Sequence, residues 1–252
     1  MRIGIIGAGK IGTGIIDAIK GKGFDFIASS KTAKAYKGVF ISDDNKMTAE
    51  DSDIILICVK PDKAKEVLDE IKDEAKRKII MTFAAGLPIK FYTDIADVKV
   101  VRVMTTLALR NNKGAGAYVF SSGFSESEKN EVRRILEALG EYIELSGESI
   151  LPVVTAISGS GIAYLTKIFD IFIKEGISRG LTKEQSEKLI IGTIKGSLSM
   201  MEETQPEQIV KQIAVPGGTT EQGLLALEDG KLEEVLKDAF DRTIKRAEEI
   251  GQ

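Results

Sequence analysis

The chain has 252 residues, 43% hydrophobic and 29% charged, enough to bury a sizeable core and best divided into two domains. Its 35 Lys plus Arg against 38 Asp plus Glu leave a net charge of -3, so nothing basic points to nucleic acid or to an anionic membrane as partner. There is no histidine, which excludes an imidazole base or imidazole metal ligation, and the single cysteine, Cys58, excludes an internal disulfide; small-molecule chemistry in a reducing, cytoplasmic compartment is expected, with no metal.

Taken in chain order, the opening "MRIGIIGAGKIG" has an apolar run too short and too broken by glycine for a signal segment. No later stretch is expected to reach the ~18 apolar residues of a membrane span. "RIGII" is a strand, and "GAGKIG", Gly7 to Gly12, leads from it into a helix. In that setting Gly7 suits the tight turn, Gly9 lets the backbone approach a pyrophosphate, and Gly12 allows close helix packing. Ala8, Lys10 and Ile11 complete the turn, whose helix start faces the anion. The second strand, "FDFIA", ends in "SSKT". Asp25 comes too early to meet a ribose, whereas Ser29, Ser30 and Lys31 offer hydroxyls and a cation suited to a 2′-phosphate. NADPH is therefore the expected cofactor, with NADH as the alternative.

The run "IILICV" continues into "KPDK", where Val59, Lys60 and Pro61 are placed to line the nicotinamide-ribose side of the crevice; Pro61 also suits a plain helix start. "KIIMTFAA" and "VKVVRVM" follow as further strands, and the alternation with helical segments argues for a parallel sheet covered by helices, an α/β fold. Ser125 and Glu128 form a capping box for a helix that Gly140 ends. From Leu151 onward everything has helical periodicity, which places the domain boundary at 150: 1–150 for the dinucleotide and 151–252 helical. The middle helices are apolar on more than one face, and Gly192, Gly196 and Ser197 permit close helix approach, so a second subunit is expected to cover them.

Two segments of the helical half carry chemistry. "AISGSGIAYL" inserts Gly159 and Gly161 into a helix, at roughly 1 kcal/mol each relative to alanine, which suggests close approach of a ligand or another helix. "VPGGTTEQG" predicts a helix starting at Thr219 or Thr220, with Thr219 and Gln222 as a capping box. The amides of Gly217, Gly218, Thr219 and Thr220 would then cluster at the positive helix end as a carboxylate receptor, unless the turn is only a capped helix start.

With "GAGKIG", "VKP", "FAAG", "VRVM", "SGSG" and "PGGTTEQGLLALEDG" in this order, most of the chain resembles pyrroline-5-carboxylate reductase. The resemblance implies an N-terminal Rossmann-type parallel-sheet domain and an all-helical dimerisation domain. It implies a homodimer with an active site completed between two chains, in some members assembled into a ring of dimers. The expected reaction is NAD(P)H-dependent reduction of a cyclic imine carboxylate to L-proline, the last step of proline biosynthesis. By position, the Gly217 to Thr219 amides hold the carboxylate, the Thr220 hydroxyl hydrogen-bonds the ring nitrogen as the catalytic group, and Ser160 adjoins the substrate. Ala84, Ala85 and Gly86 of "FAAG" join the cofactor site. Three positions depart from the family pattern. "TTLA", Thr105 to Ala108, stands where the family has Pro-Asn-Thr-Pro, so that Thr105 or Thr106 must substitute for the asparagine; Ile162 replaces a proline and Val215 a serine. These bear on the substrate rather than the fold, and a paralogue acting on another carboxylated imine stays open. So does a β-hydroxyacid dehydrogenase, although Leu165 falls where its lysine belongs and Lys167 is out of register. A non-catalytic nucleotide-binding protein is the third alternative.

Overall fold

A computed structural model of the chain describes residues 1–250. In chain order the first part runs β1 (Arg2–Ile6), α1 (Lys10–Ile19), β2 (Asp25–Ser29), a small hairpin of β3 (Ala35–Tyr36) and β4 (Val39–Phe40), and α2 (Asn45–Glu50). Next come β5 (Ile54–Ile57), α3 (Pro61–Ile71), β6 (Ile79–Thr82), α4 (Ile89–Ile95), β7 (Lys99–Met104), β8 (Gly114–Phe120), α5 (Glu126–Leu139) and β9 (Gly140–Glu144). The sheet has seven strands in the order β2-β1-β5-β6-β7-β8-β9. β2 through β7 in that order are parallel, whereas β8 runs antiparallel to β7 and β9 parallel to β8. The sequence pattern had not distinguished β8, because "GAGAYVF" opens with glycines instead of β-branched residues.

The central strands are apolar throughout because both faces are covered. Ile3 and Ile5 of β1 and Ile54 and Leu56 of β5 face α1 and α5, where they meet Ile15, Ile16, Ile19, Ile135 and Leu139. Ile6, Ile55 and Ile57 point the other way, onto Val67, Leu68 and Ile71 of α3 and Tyr92 of α4. Between β1 and β5 the chain changes direction across the sheet, and a crevice opens at the carboxyl ends of the two strands.

The predicted capping box of α5 is present, with the Glu128 amide donating to Ser125 Oγ and the Ser125 amide to Glu128 Oε2. Lys99, at the start of β7, donates to both Glu128 oxygens at 2.6 and 2.7 Å, so one carboxylate caps the helix and ties it to the sheet.

The rest of the chain is α6 (Leu151–Val154), a π-helical turn (Thr155–Ser160), α7 (Gly161–Ser178), α8 (Lys183–Met201), α9 (Pro206–Ile213), α10 (Thr219–Asp229) and α11 (Leu232–Ile250). Met1–Gly161 and the end of α11 from Arg242 form one compact unit, and Ile162–Asp241 the other. The first compact unit extends past 150 to Gly161, because Leu151 and Val154 pack against Ala117 and Val119 of β8. Within Ile162–Asp241 the buried residues are Ser186, Ile190 and Ile209, while Leu165, Phe172, Leu189 and Val235 are all more than half exposed. Within the helical run Glu148–Ser178, of 31 residues, an 18-residue stretch reaches a mean hydropathy of 1.4, so the run is long and apolar enough to cross a membrane by length and composition. That corrects the sequence expectation, which looked for unbroken apolar residues; Gly, Ser and Thr interrupt such a run without lowering its mean hydropathy much.

The Lys99 ion pair, followed by the Ser125 amide, holds the Glu128 carboxyl at about 2 against a usual 4.5, so its stabilisation is complete above 4.5 and is lost as pH falls through about 2. Glu128→Gln keeps the cap and removes the charge. Urea denaturation at neutral pH is expected to show a loss of about 1 kcal/mol, and the gap to the wild type should close as the pH falls across that window.

Candidate active site

The crevice at the end of β1 is a pocket of about 400 Å³ whose floor is backbone. Gly7 sits at φ +106, a left-handed conformation, and a Cβ there would lie 2.9 Å from Cys58 C and Val59 Cγ1. A Cβ on Gly12 would stand 1.9 Å from the Gly7 carbonyl oxygen, so α1 can cross the turn only without a side chain at that position. Gly9 differs, since its Cβ would meet nothing within 4 Å and its surface is open to the pocket. No side chain caps α1, and Lys10 and Ile11 open its first turn, where amides have no partner inside the helix. These features fit a pyrophosphate on a helix start. Ala8 lines the pocket with Gly7 and Gly9, whereas Lys10, Ile11 and Gly12 lie outside its walls.

At the end of β2, Ser29 does not take the cofactor-facing place expected of it. Ser29 is fully buried, and its hydroxyl donates to Asn45 Oδ1 at 2.8 Å, so it orients Asn45 and does not line the pocket. Ser30, Lys31 and Thr32 do line it, with the Ser30 and Thr32 hydroxyls 3.2 Å apart. Lys31 Nζ donates to Glu70 Oε1 at 3.0 Å and to the Asp43 carbonyl at 3.1 Å, and the Glu70 hydrogen bond raises the lysine's pKa. Asp25 lies at the opposite end of β2, paired with Arg2 at 2.9 Å. Val59 and Lys60 form the far wall, while Pro61 serves as the first residue of α3. Cys58 also reaches the wall, but burial pushes its thiol well above the ordinary range, which leaves it unreactive. The sequence reading missed Thr32, Asn45, Lys63, Glu66 and Glu70. The last three share one face of α3, and that helical spacing was the available signal.

Ala84, Ala85 and Gly86 line a different cavity, of about 70 Å³, together with Arg102, Met104, Leu151, Thr155 and Ile250. Arg102 donates to Glu148 Oε1 at 2.7 Å, and the same oxygen accepts the Ile89 amide at 2.9 Å. Of the threonines in "TTLA", Thr105 hydrogen-bonds the Tyr142 hydroxyl, and buried Thr106 accepts the Ala115 amide at 3.4 Å.

Gly159 and half-buried Ser160 fall in the π-helical turn, a departure from regular helix that often marks a functional segment. Gly159 is small because Met104 packs there; a Cβ would stand 2.2 Å from Met104 Cε. Its close neighbour is thus the end of β7. In the other unit, Leu165 is 53% exposed and Lys167 is exposed beside Asp170 at 3.8 Å, with no arrangement for lysine catalysis. The turn before α10 has Gly217 at φ +74 and Gly218 as N-cap, with Thr219 and Thr220 exposed in the first turn. The expected capping box of Thr219 and Gln222 is absent. Instead, Glu221 Oε2 accepts the Gly217 amide at 2.8 Å, and the Gly218 amide donates to the Val215 carbonyl at 2.9 Å. Two of the four proposed receptor amides are therefore engaged within the turn itself.

Strand, glycine turn, helix and crevice define a dinucleotide-binding oxidoreductase of the Rossmann class. The family model for pyrroline-5-carboxylate reductase dimerisation matches residues 148–250, and that for NADP oxidoreductase, coenzyme F420-dependent, matches residues 2–86. Pyrroline-5-carboxylate reductase 2 of Bacillus subtilis is 35% identical over 205 residues, covering 80% of this chain and 73% of its own. The pyrroline-5-carboxylate reductase of Staphylococcus haemolyticus is 32% identical over 100% of this chain and 98% of its own. The crystal structure of Plasmodium falciparum pyrroline carboxylate reductase with NADP bound superposes with a TM-score of 0.92 at 27% identity, covering 100% of this chain and 98% of that one. The chain belongs to the pyrroline-5-carboxylate reductase family.

The glycine geometry makes a paired prediction. Gly9→Ala should leave thermal stability within about 0.5–1 kcal/mol of the wild type, since alanine meets no protein atom, yet weaken NADPH binding at least about tenfold. Gly12→Ala should lower both, because the helix must move off the turn; calorimetry and nucleotide titration on the two variants check this.

Proposed function

We propose that this protein reduces the C=N bond of 1-pyrroline-5-carboxylate to give L-proline, with NADPH as hydride donor. The observation that carries this reading is that the glycine turn and the Pro216–Thr220 turn occur together in a chain aligned end to end with pyrroline-5-carboxylate reductases. When bound, the reduced nicotinamide supplies a hydride for the imine carbon. On the protein's side, Gly7, Ala8 and Gly9 with the α1 start hold the pyrophosphate, and Ser30, Lys31 and Thr32 meet the adenosine ribose. Val59 and Lys60 form the opposite wall, and Ala84–Gly86 are assigned to the nicotinamide side.

Substrate positioning falls to the turn before α10. The amides of Thr219 and Thr220, in the first turn, have no partner four residues back within the helix, and they take the substrate carboxylate. The Gly217 amide joins them once Glu221 turns aside, with open space at Gly217 for the ligand, while Gly218 is the N-cap packed on Val215. The Thr220 hydroxyl hydrogen-bonds the ring nitrogen and fixes which carbon is presented. Ser160, in the π-helical turn, completes the substrate contacts. A cyclic imine is basic enough to be protonated near neutral pH, and its iminium carbon accepts hydride readily. Orientation can therefore supply most of the rate, which is consistent with a chain that has no histidine.

The active form is a homodimer built on the helical region, and the cytoplasm is its compartment. The dimerisation-domain match and the bare apolar side chains of α7, α8 and α11 support pairing of copies. Gly192 and Gly196 have open space where a Cβ would stand, which leaves room for another helix backbone. Leu165, Ile171 and Phe172, the exposed apolar side chains in the later part of Glu148–Ser178, are what that partner covers.

Initial rates of NADPH oxidation with 1-pyrroline-5-carboxylate test the assignment directly, and turnover is expected. Thr220→Ala should lower kcat about 10²-fold with NADPH affinity unchanged, and Thr220→Ser should recover most of it. Wild-type rates in the alanine variant would remove Thr220 from the mechanism.

A further inference from the structure

The ribose end of the glycine-turn pocket contains a carboxylate that the hydride chemistry does not call for. Glu70 reaches it from α3, with a side chain 26% exposed, and both of its oxygens are engaged. Oε1 accepts from Lys31 at 3.0 Å and Oε2 from Asn45 Nδ2 at 2.8 Å. Asn45 is itself held in place through its Oδ1 by the buried Ser29 hydroxyl. Lys31, Asn45 and Glu70 thus form a connected set joining the end of β2, the start of α2 and α3.

The set treats the two forms of the cofactor differently. A ribose against Ser30 and Thr32 that carries a free 2′-hydroxyl finds in Glu70 an acceptor already oriented by two donors. A 2′-phosphate meets a like charge, and the two side-chain donors best suited to it are already bound to that charge. Lys63, two turns away at the start of α3, is engaged by Glu66 at 3.0 Å. We propose that Glu70 is a specificity-determining residue that holds back selection for the 2′-phosphorylated dinucleotide and so allows this enzyme to use NADH as well as NADPH. The inference rests on the reading of the crevice as the dinucleotide site. A purely structural Lys31–Glu70 tether would affect stability and leave the cofactor ratio alone.

The experiment titrates the full-length protein with NADPH and NADH by nicotinamide fluorescence, and measures kcat/KM for each with 1-pyrroline-5-carboxylate. The wild type is expected to bind the two within about tenfold of each other. Glu70→Gln keeps the shape and removes the charge, and should shift the ratio about tenfold towards NADPH. The shift should reside mainly in the NADPH Kd and shrink at high salt. An unchanged ratio in a folded Glu70→Gln variant that binds both nucleotides overturns the role of Glu70 alone. A wild type that prefers NADPH by more than about a hundredfold overturns it without any variant. Failure of the folded wild type to bind either nucleotide overturns the cofactor reading and this inference with it.

Discussion

The close passage of α1 over the turn at the end of β1 governs the first unit. The Gly12 Cα lies so near the Gly7 carbonyl that any side chain would separate them. The turn is also anchored on both sides, by the Gly7 amide donating to the Ser29 carbonyl at 2.9 Å and the Cys58 amide to the Ile6 carbonyl at 2.8 Å. One strand end is thus tied to the ends of its two neighbours, which brings Ser30 to Thr32 and Val59 to Lys60 to opposite walls of one crevice. Moving α1 outward would also draw Ile15, Ile16 and Ile19 out of the core, so the cofactor floor and the packing depend on the same absent side chain.

The helical half follows a different logic. Its apolar residues exceed what one copy can bury, and in Ile162–Asp241 large side chains such as Phe172 and Leu189 are left more than half exposed. Hydrophobic surface of this extent favours association. The apolar run Glu148–Ser178 lies within the residues matched by the dimerisation-domain model, which supports pairing of copies through the helical region. The π-helical turn within this run is a packing solution. Met104 fills the space beside Gly159, so the glycine that looked like room for a ligand is room for a strand end.

Electrostatics divides the glycine-turn pocket in two. The pyrophosphate end presents backbone amides and no acidic side chain in the first turn of α1. The ribose end presents Lys31, already paired with Glu70 from α3, a balance that lets the pocket hold an anion without strong selection for extra phosphate.

Much of this was legible in the sequence where the constraint is local. The roles of Gly7, Gly9 and Gly12 follow from backbone sterics over a few residues, and the capping box of Ser125 and Glu128 from a spacing that fits one helical turn. Strands β1, β2, β5, β6 and β7 announced themselves as apolar runs, because a sheet covered on both faces needs apolar residues throughout, whereas the two-residue strands β3 and β4 are too short to show a pattern. The rest depended on groups distant in sequence arriving together. Ser29 looked like a cofactor ligand until burial turned it towards Asn45, and Glu70 gave no sign of reaching Lys31 until α3 was laid beside β2. Thr219 lost its expected partner because the helix takes Gly218 as its N-cap, which makes Thr219 the first helical residue and sends the Gln222 amide to the Gly218 carbonyl, and spacing cannot rank two cap positions one residue apart. The sequence alone determined the fold class, the glycine turn and the chemistry a histidine-free chain can support, since these rest on backbone geometry and residue inventory. Only the tertiary structure decided which polar side chains face the crevice, because that depends on how helices and strands far apart in the chain are packed.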